Sequence, residues 1–143
     1  MTMTLGPDHA LAQLAASIAF ADTGAQPSSI RLYADAGAAT GATPAGAPLA
    51  EVTLAKPCGT IAAGQLALHV ADPTGAMVLA TGQPRAAQWI SGAGLLVAAG
   101  TVTDMDHGGD FRIGGAPTAP GGDTPTLYAR GLVLLGAVVD RKG

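Results

Sequence analysis

The spacing of apolar positions changes once along this chain. Leu11, Leu14 and Ile18 recur at helical spacing, with Ala between them and Gln13 and Ser17 elsewhere on the turn. Asp8 stands ahead of them, placed to cap a helix and to complement its dipole. The spacing predicts a helix from about Asp8 to Phe20 that stops near Gly24. After Pro27 the period becomes two. Residues 29–33 put Ile30 and Leu32 on one face and Arg31 and Tyr33 on the other. The alternation resumes at residues 51–54, where Lys56-Pro57 and Gly59 punctuate it, and again at 65–70, with Leu66, Leu68 and Val70 on one face.

Asp72-Pro73-Thr74-Gly75 is a turn signal: Pro presets the second position and Gly closes it. Strands follow at 77–79, 85–90 and 95–102, the last two joined by a tight hairpin at Ser91-Gly92-Ala93-Gly94. Residues 111–113 form a short strand with Arg112 outward, and 126–139 close the body, with Gly131 and Gly136 as turn or bulge positions. Residues 37–48 and 116–125, rich in Ala, Gly, Thr and Pro, read as two long surface loops. About eight short strands at roughly 8–12-residue spacing behind one helix predict an all-β sandwich or jelly roll. The expected organisation is a single domain over residues 1–143, with a helical arm at 1–26 and a β body at 27–143.

Composition sharpens this picture. Of 143 residues, 52 are Ala or Gly, aromatics make up 3% and charged residues 12%. The charged fraction is about half the usual 25%. With a net charge of -3 and dispersed Lys and Arg, nucleic-acid binding through a basic patch is excluded as an expectation. Ala contributes little burial, whereas each buried Leu, Ile, Val or Phe contributes about 1.5–3 kcal/mol. A chain so poor in bulk gains from burying its outer faces in an assembly. No apolar run approaches the roughly 20 residues of a membrane span. Residues 11–21 lack a preceding Lys or Arg and begin near Asp8, so they are not read as a signal segment.

Candidate chemistry is sparse. The lone Cys58 excludes an internal disulfide and reads as a small buried thiol. Asp104, Asp106, His107 and Asp110 concentrate ligand-type side chains, and carboxylates two apart suit calcium. A further oxygen ligand is missing where His107 or Gly108 stands, and no bidentate Glu follows, so the cluster reads first as a solvated turn. No metal or cofactor is expected. His69 alternates outward from Leu68 and Val70. None of Ser17, Ser28, Ser29 and Ser91 sits in a nucleophile elbow, and Glu51 is the only Glu. No catalytic residue is named and no enzyme is expected. Gly92-Ala93-Gly94 and residues 37–46 lack the rest of any phosphate-binding fingerprint.

Several segments taken in order carry a resemblance. They are the N-terminal helix, Ile30-Arg31-Leu32-Tyr33, the Gly/Ala/Thr/Pro loop, and Leu49-Ala50-Glu51-Val52-Thr53-Leu54. After these come Ala80-Thr81-Gly82, Ala87-Gln88-Trp89-Ile90, residues 94–102, Gly109-Asp110-Phe111 and Thr126-Leu127-Tyr128-Ala129. Together they resemble the small, Ala/Gly-rich structural proteins of tailed bacteriophages. They are similar to the jelly-roll-like cement, or decoration, proteins on the outside of capsids. The segment Arg85-Ala86-Ala87-Gln88-Trp89 departs from the Thr-Ala-Thr-Trp common there.

The resemblance implies a virion protein made in the host cytoplasm and bound to the capsid surface. Its partners would be the major capsid protein and further copies of itself, a dimer or trimer at symmetry axes, with neither nucleic acid nor membrane. The two loops, the helix stripe of Leu11, Leu14 and Ile18, and Trp89 are the expected contact elements. The alternatives are a tail, baseplate or fibre component and a sugar- or calcium-binding β-sandwich.

Overall fold

A computed structural model of the chain describes residues 15–62, 65–72, 74–105, 111–115, 118, 120–136 and 138–139. Among the described residues, nine strands follow a short helix. They are β1 (Ser29–Tyr33), β2 (Ala50–Ala62), β3 (Gln65–Val70), β4 (Ala76–Met77), β5 (Ala86–Ile90), β6 (Leu96–Asp104), β7 (Phe111–Gly114), β8 (Leu132–Leu135) and β9 (Val138–Val139). The all-β class and the short N-terminal helix are those the pattern predicts.

The strands form one hydrogen-bonded order, β4-β8-β7-β6-β5-β1-β2-β3-β9. Of its pairs, β6 with β7 is parallel and the others are antiparallel. The order curls. Val78, just past β4, bridges Ala50 of β2, and the Leu79 N–H donates to the Leu49 carbonyl at 2.7 Å. The sheet thus closes over a core that includes Ile30, Leu32, Leu54, Trp89, Ile113, Leu127 and Val133. Period-two alternation supplies these side chains. In β7, Phe111 and Ile113 point in and Arg112 is half-buried; in β8, Val133 points in between exposed Leu132 and Leu134.

One sequence expectation is corrected. The punctuation at Lys56-Pro57 and Gly59 does not end a strand. β2 runs through it, with a cis Lys56-Pro57 bond and a register shift between Leu54 and Gly59. Proline lacks an N–H, and a break in the ladder is where a strand tolerates it. The early part of β2 pairs with β1 and the late part with β3.

The loop at 37–48 lies mostly at the surface, as the sequence predicts, but it is anchored. Its first residues form a 3-10 turn, Ala36–Thr40, against the outer side of the sheet, where Tyr33, Ala38 and Ala86 make a second small core. The Asp35 carboxylate accepts from the Gly37 N–H at 2.9 Å and the Ala45 N–H at 3.0 Å. Gly41, at φ 86, closes the turn in the left-handed region that favours glycine. β5 is therefore buried on both sides, and Gln88 explains how a polar residue fits there. Its Nε2 donates to the Ala38 carbonyl at 3.1 Å and the Ala42 carbonyl at 2.8 Å, satisfying the amide while clamping the loop.

The helix occupies residues 15–21 of the described chain, and Leu11 and Leu14 lie outside the described residues. It stops where the sequence places the stop, ahead of Gly24 at φ 92. Ile18 packs against the core and Ala21 is fully buried. The Gly92 N–H donates to the Ala21 carbonyl at 3.0 Å, and Lys56 Nζ donates to the Gly24 carbonyl at 2.8 Å. The last turn of this helix rests on its own body.

Candidate interaction surfaces

A polar recess, an open cleft of about 340 Å³, lies on the outer side of β1 and β2, bounded by Gln26 and the 91–94 turn. Its floor holds Ser29, Arg31, Glu51 and Thr53. Arg31 and Glu51 stand opposite each other in the ladder, and Arg31 Nε donates to Glu51 Oε2 at 2.7 Å. The Ser29 hydroxyl donates to the same oxygen at 3.3 Å. This bond to Glu51 holds the Arg31 guanidinium still higher than its ordinary value. The carboxylate is thus occupied by its neighbours. The arrangement is a cross-strand clamp, worth about 0–1 kcal/mol at such exposure. Among the described residues, no aromatic side chain lines the cleft.

The other singled-out groups are dispersed. Asp106, His107 and Asp110 lie outside the described residues. Asp104 accepts from the Thr118 hydroxyl at 2.7 Å. Among the described residues, no group of three or more His, Cys, Asp or Glu is placed to hold a metal ion. His69 is exposed as its alternation predicts, with Nε2 3.2 Å from the Thr60 hydroxyl on the adjoining strand.

Cys58 is buried where β2 shifts register. Its N–H donates to the Asp22 carboxylate, and its thiol points to the Ile18 carbonyl at 3.9 Å. Desolvation, reinforced by the negative Asp22, pushes the thiol up to about 11. That is the chemistry of an inert core thiol. No helix among the described residues is long and apolar enough to cross a membrane.

Trp89 lies within the core, 3% exposed, between Ile30 of β1 and Ala98 of β6. Its bulk fills this chain's own interior rather than its surface. Ile18 likewise turns partly inward. The end of the second loop is also held. Thr124 is buried with its hydroxyl donating to the Val102 carbonyl at 3.1 Å, and Gln83 Nε2 donates to the Thr124 carbonyl at 2.8 Å.

What stands outward is a set of large apolar side chains. Met77 faces Leu132 across the β4–β8 ladder, and Leu134 follows Leu132 on the same face of β8. Leu79 continues the outward side past buried Val78. Leu134 is opposite Gly114 of β7, and Met105 lies over Gly114 and Gly136. These five side chains are between 40% and 61% exposed. They form an apolar row across three strands, with exposed Tyr128 in the adjoining turn. Phe20 in the helix, and Leu95 and Leu96 where β6 begins, are exposed as well, with Leu96 lying over Gly41 of the 3-10 turn. Leu96 precedes Val102, where β7 joins, by six residues, or about 20 Å of strand at roughly 3.3 Å per residue. Leu96 therefore stands apart from the row.

The sequence reading missed this row. Its signal was present in the Leu132-Val133-Leu134-Leu135 run, which is apolar on both faces although only one face can meet the core. Against protein-family models, curated proteins and solved structures, the chain has no match.

Proposed function

We propose that this chain is a non-enzymatic structural protein of a tailed-phage virion, a cement protein that binds the outer capsid surface and bridges major capsid subunits. One observation carries the reading beyond the sequence resemblance. The described residues anchor the 37–48 loop through Gln88 and Asp35, yet leave large apolar side chains exposed, in a row on the β4–β8 face and again near the start of β6. A protein that joins neighbours needs two contact surfaces, and one that acts on a small substrate needs a pocket with free polar groups. The described residues carry the first feature, and in the cleft on β1 and β2 the Glu51 carboxylate is already engaged by Arg31.

Repetition on a lattice strengthens such contacts. Each copy is held at several points, so interfaces that are weak singly persist together. Self-association at the symmetry axes belongs to the same reading.

Stoichiometry in purified particles tests it. Copy numbers on the order of hundreds support the shell, whereas a small multiple set by tail symmetry supports the tail alternative. Particles that form without the protein are expected to lose resistance to heat. Complete absence of the chain from purified virions overturns the proposal.

A further inference from the structure

We infer that the β4–β8 row is where a second copy of this chain docks, about a two-fold axis lying between the paired faces and crossing the strands at right angles. The inference takes up the self-association in the reading above, but not the shell.

A two-fold interface must be complementary to itself, and the row has that property. Its centre is apolar: Met77, Leu79, Leu132 and Leu134. Its ends carry opposite charges. At one end is the Asp72 turn, closed by the Gly75 N–H donating to the Asp72 carbonyl at 3.2 Å. Gly75 fixes this turn beside β8, because a Cβ there would meet Leu134 Cδ2 at 3.1 Å and Leu132 Cβ at 3.3 Å. Asp72 accepts from the Thr74 N–H and hydroxyl, bonds that favour its ionised form. At the other end is Arg130, exposed, with its N–H donating to the Val78 carbonyl at 2.9 Å. From Gly75 to Val78 the chain advances about 10 Å at roughly 3.3 Å per residue.

Face-to-face pairing with reversed strands brings Asp72 of each copy to Arg130 of the other, twice. A two-fold axis along the strands would instead set acid against acid and base against base. Charge therefore selects one of the two ways of covering the row. A standard interface buries roughly 800 Å² per partner, with an apolar centre and a polar rim, and the row with its two charged ends has that form.

Sedimentation equilibrium of the full chain is the test. The mass is expected to rise with concentration from 13.9 kDa toward twice that value. Leu132→Ser and Arg130→Asp are each expected to weaken the dimer by about tenfold or more, and added salt is expected to weaken it as well. Arg130 sits at φ 73, a conformation Asp accepts, so the variant is expected to fold; a thermal melt checks each protein. The decisive variant combines Arg130→Asp with Asp72→Lys, which exchanges the charged ends and is expected to restore the dimer.

A monomer at every concentration, a trimer, or a dimer indifferent to Leu132→Ser overturns the inference. So does an Arg130→Asp defect that the exchange fails to rescue. The two proposals fail separately. A dimer absent from virions breaks only the shell reading, and a monomer abundant on shells breaks only the dimer.

Discussion

Where residues 20–27 meet the 91–94 turn, backbone lies directly on backbone; on the β4–β8 face, leucine and methionine side chains stand in solvent. A Cβ on Gly24 would come within 2.7 Å of the Gly92 and Ala93 backbone. One on Gly92 would run into the Gln26 and Thr23 carbonyls. The first region closes because glycine stands on both sides of the contact, at 24 and 92. The second has large side chains and no place for them inside, since β8 turns Val133 to the core and Leu132 and Leu134 away from it. A chain of small residues can close its seams tightly, and what remains exposed is then informative: bulk outside a well-sealed body marks a surface built for contact.

The contrast can be broken most severely at Gly92. Gly92→Ala forces the helix end off the hairpin and is expected to cost about 3 kcal/mol or more, read as the shift in a urea unfolding midpoint. A wild-type midpoint would show that the seam is loose. Gln88→Ala comes next. It removes both bonds to the 3-10 turn, with an expected loss of about 1–3 kcal/mol and faster amide exchange around residues 38–42. If exchange there does not change, the loop is held by something other than Gln88.

Gly94→Ala is the control for the first substitution. Gly94 has φ 89 but open space around it, so only backbone strain applies, about 1–2 kcal/mol. Leu134→Ser on the open face is expected to stay within about 0.5 kcal/mol by thermal melting at a concentration low enough that the chain is monomeric. A larger loss would mean the row supports the fold itself.

The least visible effect is at Cys58, silent at neutral pH. Its folded thiol sits near 11, against an ordinary 9.0. Between these values the unfolded chain has lost a proton that the folded chain keeps. Stability is therefore expected to fall as pH rises from about 9 to about 11, and Cys58→Ala is expected to flatten that slope. An identical slope in the variant would assign it to other groups.

Much of the fold was legible in the sequence because alternation reports which face of a strand is buried. Ile30 and Leu32, Phe111 and Ile113, and the outward His69 fall where period two places them. The turns at Asp72–Gly75 and Ser91–Gly94 were legible because their residues carry the backbone preference locally. The candidate surface was not. Leu132 and Leu134 look like core residues until Val133 is seen to take the inner face, and Trp89 looks like an anchor until Ile30 and Ala98 enclose it.

The sequence alone determined the all-β class, the stop of the helix near Gly24 and the small-residue character of the chain, because each depends on neighbours a few positions apart. Tertiary structure decided the rest. It set the strand order, returned β4 to β2 through Val78 and Ala50, closed the 37–48 loop under Gln88 and turned the β4–β8 row outward. Those outcomes depend on which distant strands pair. Among many nearly equivalent short apolar strands, only the curled sheet as a whole fixes which faces remain for a partner.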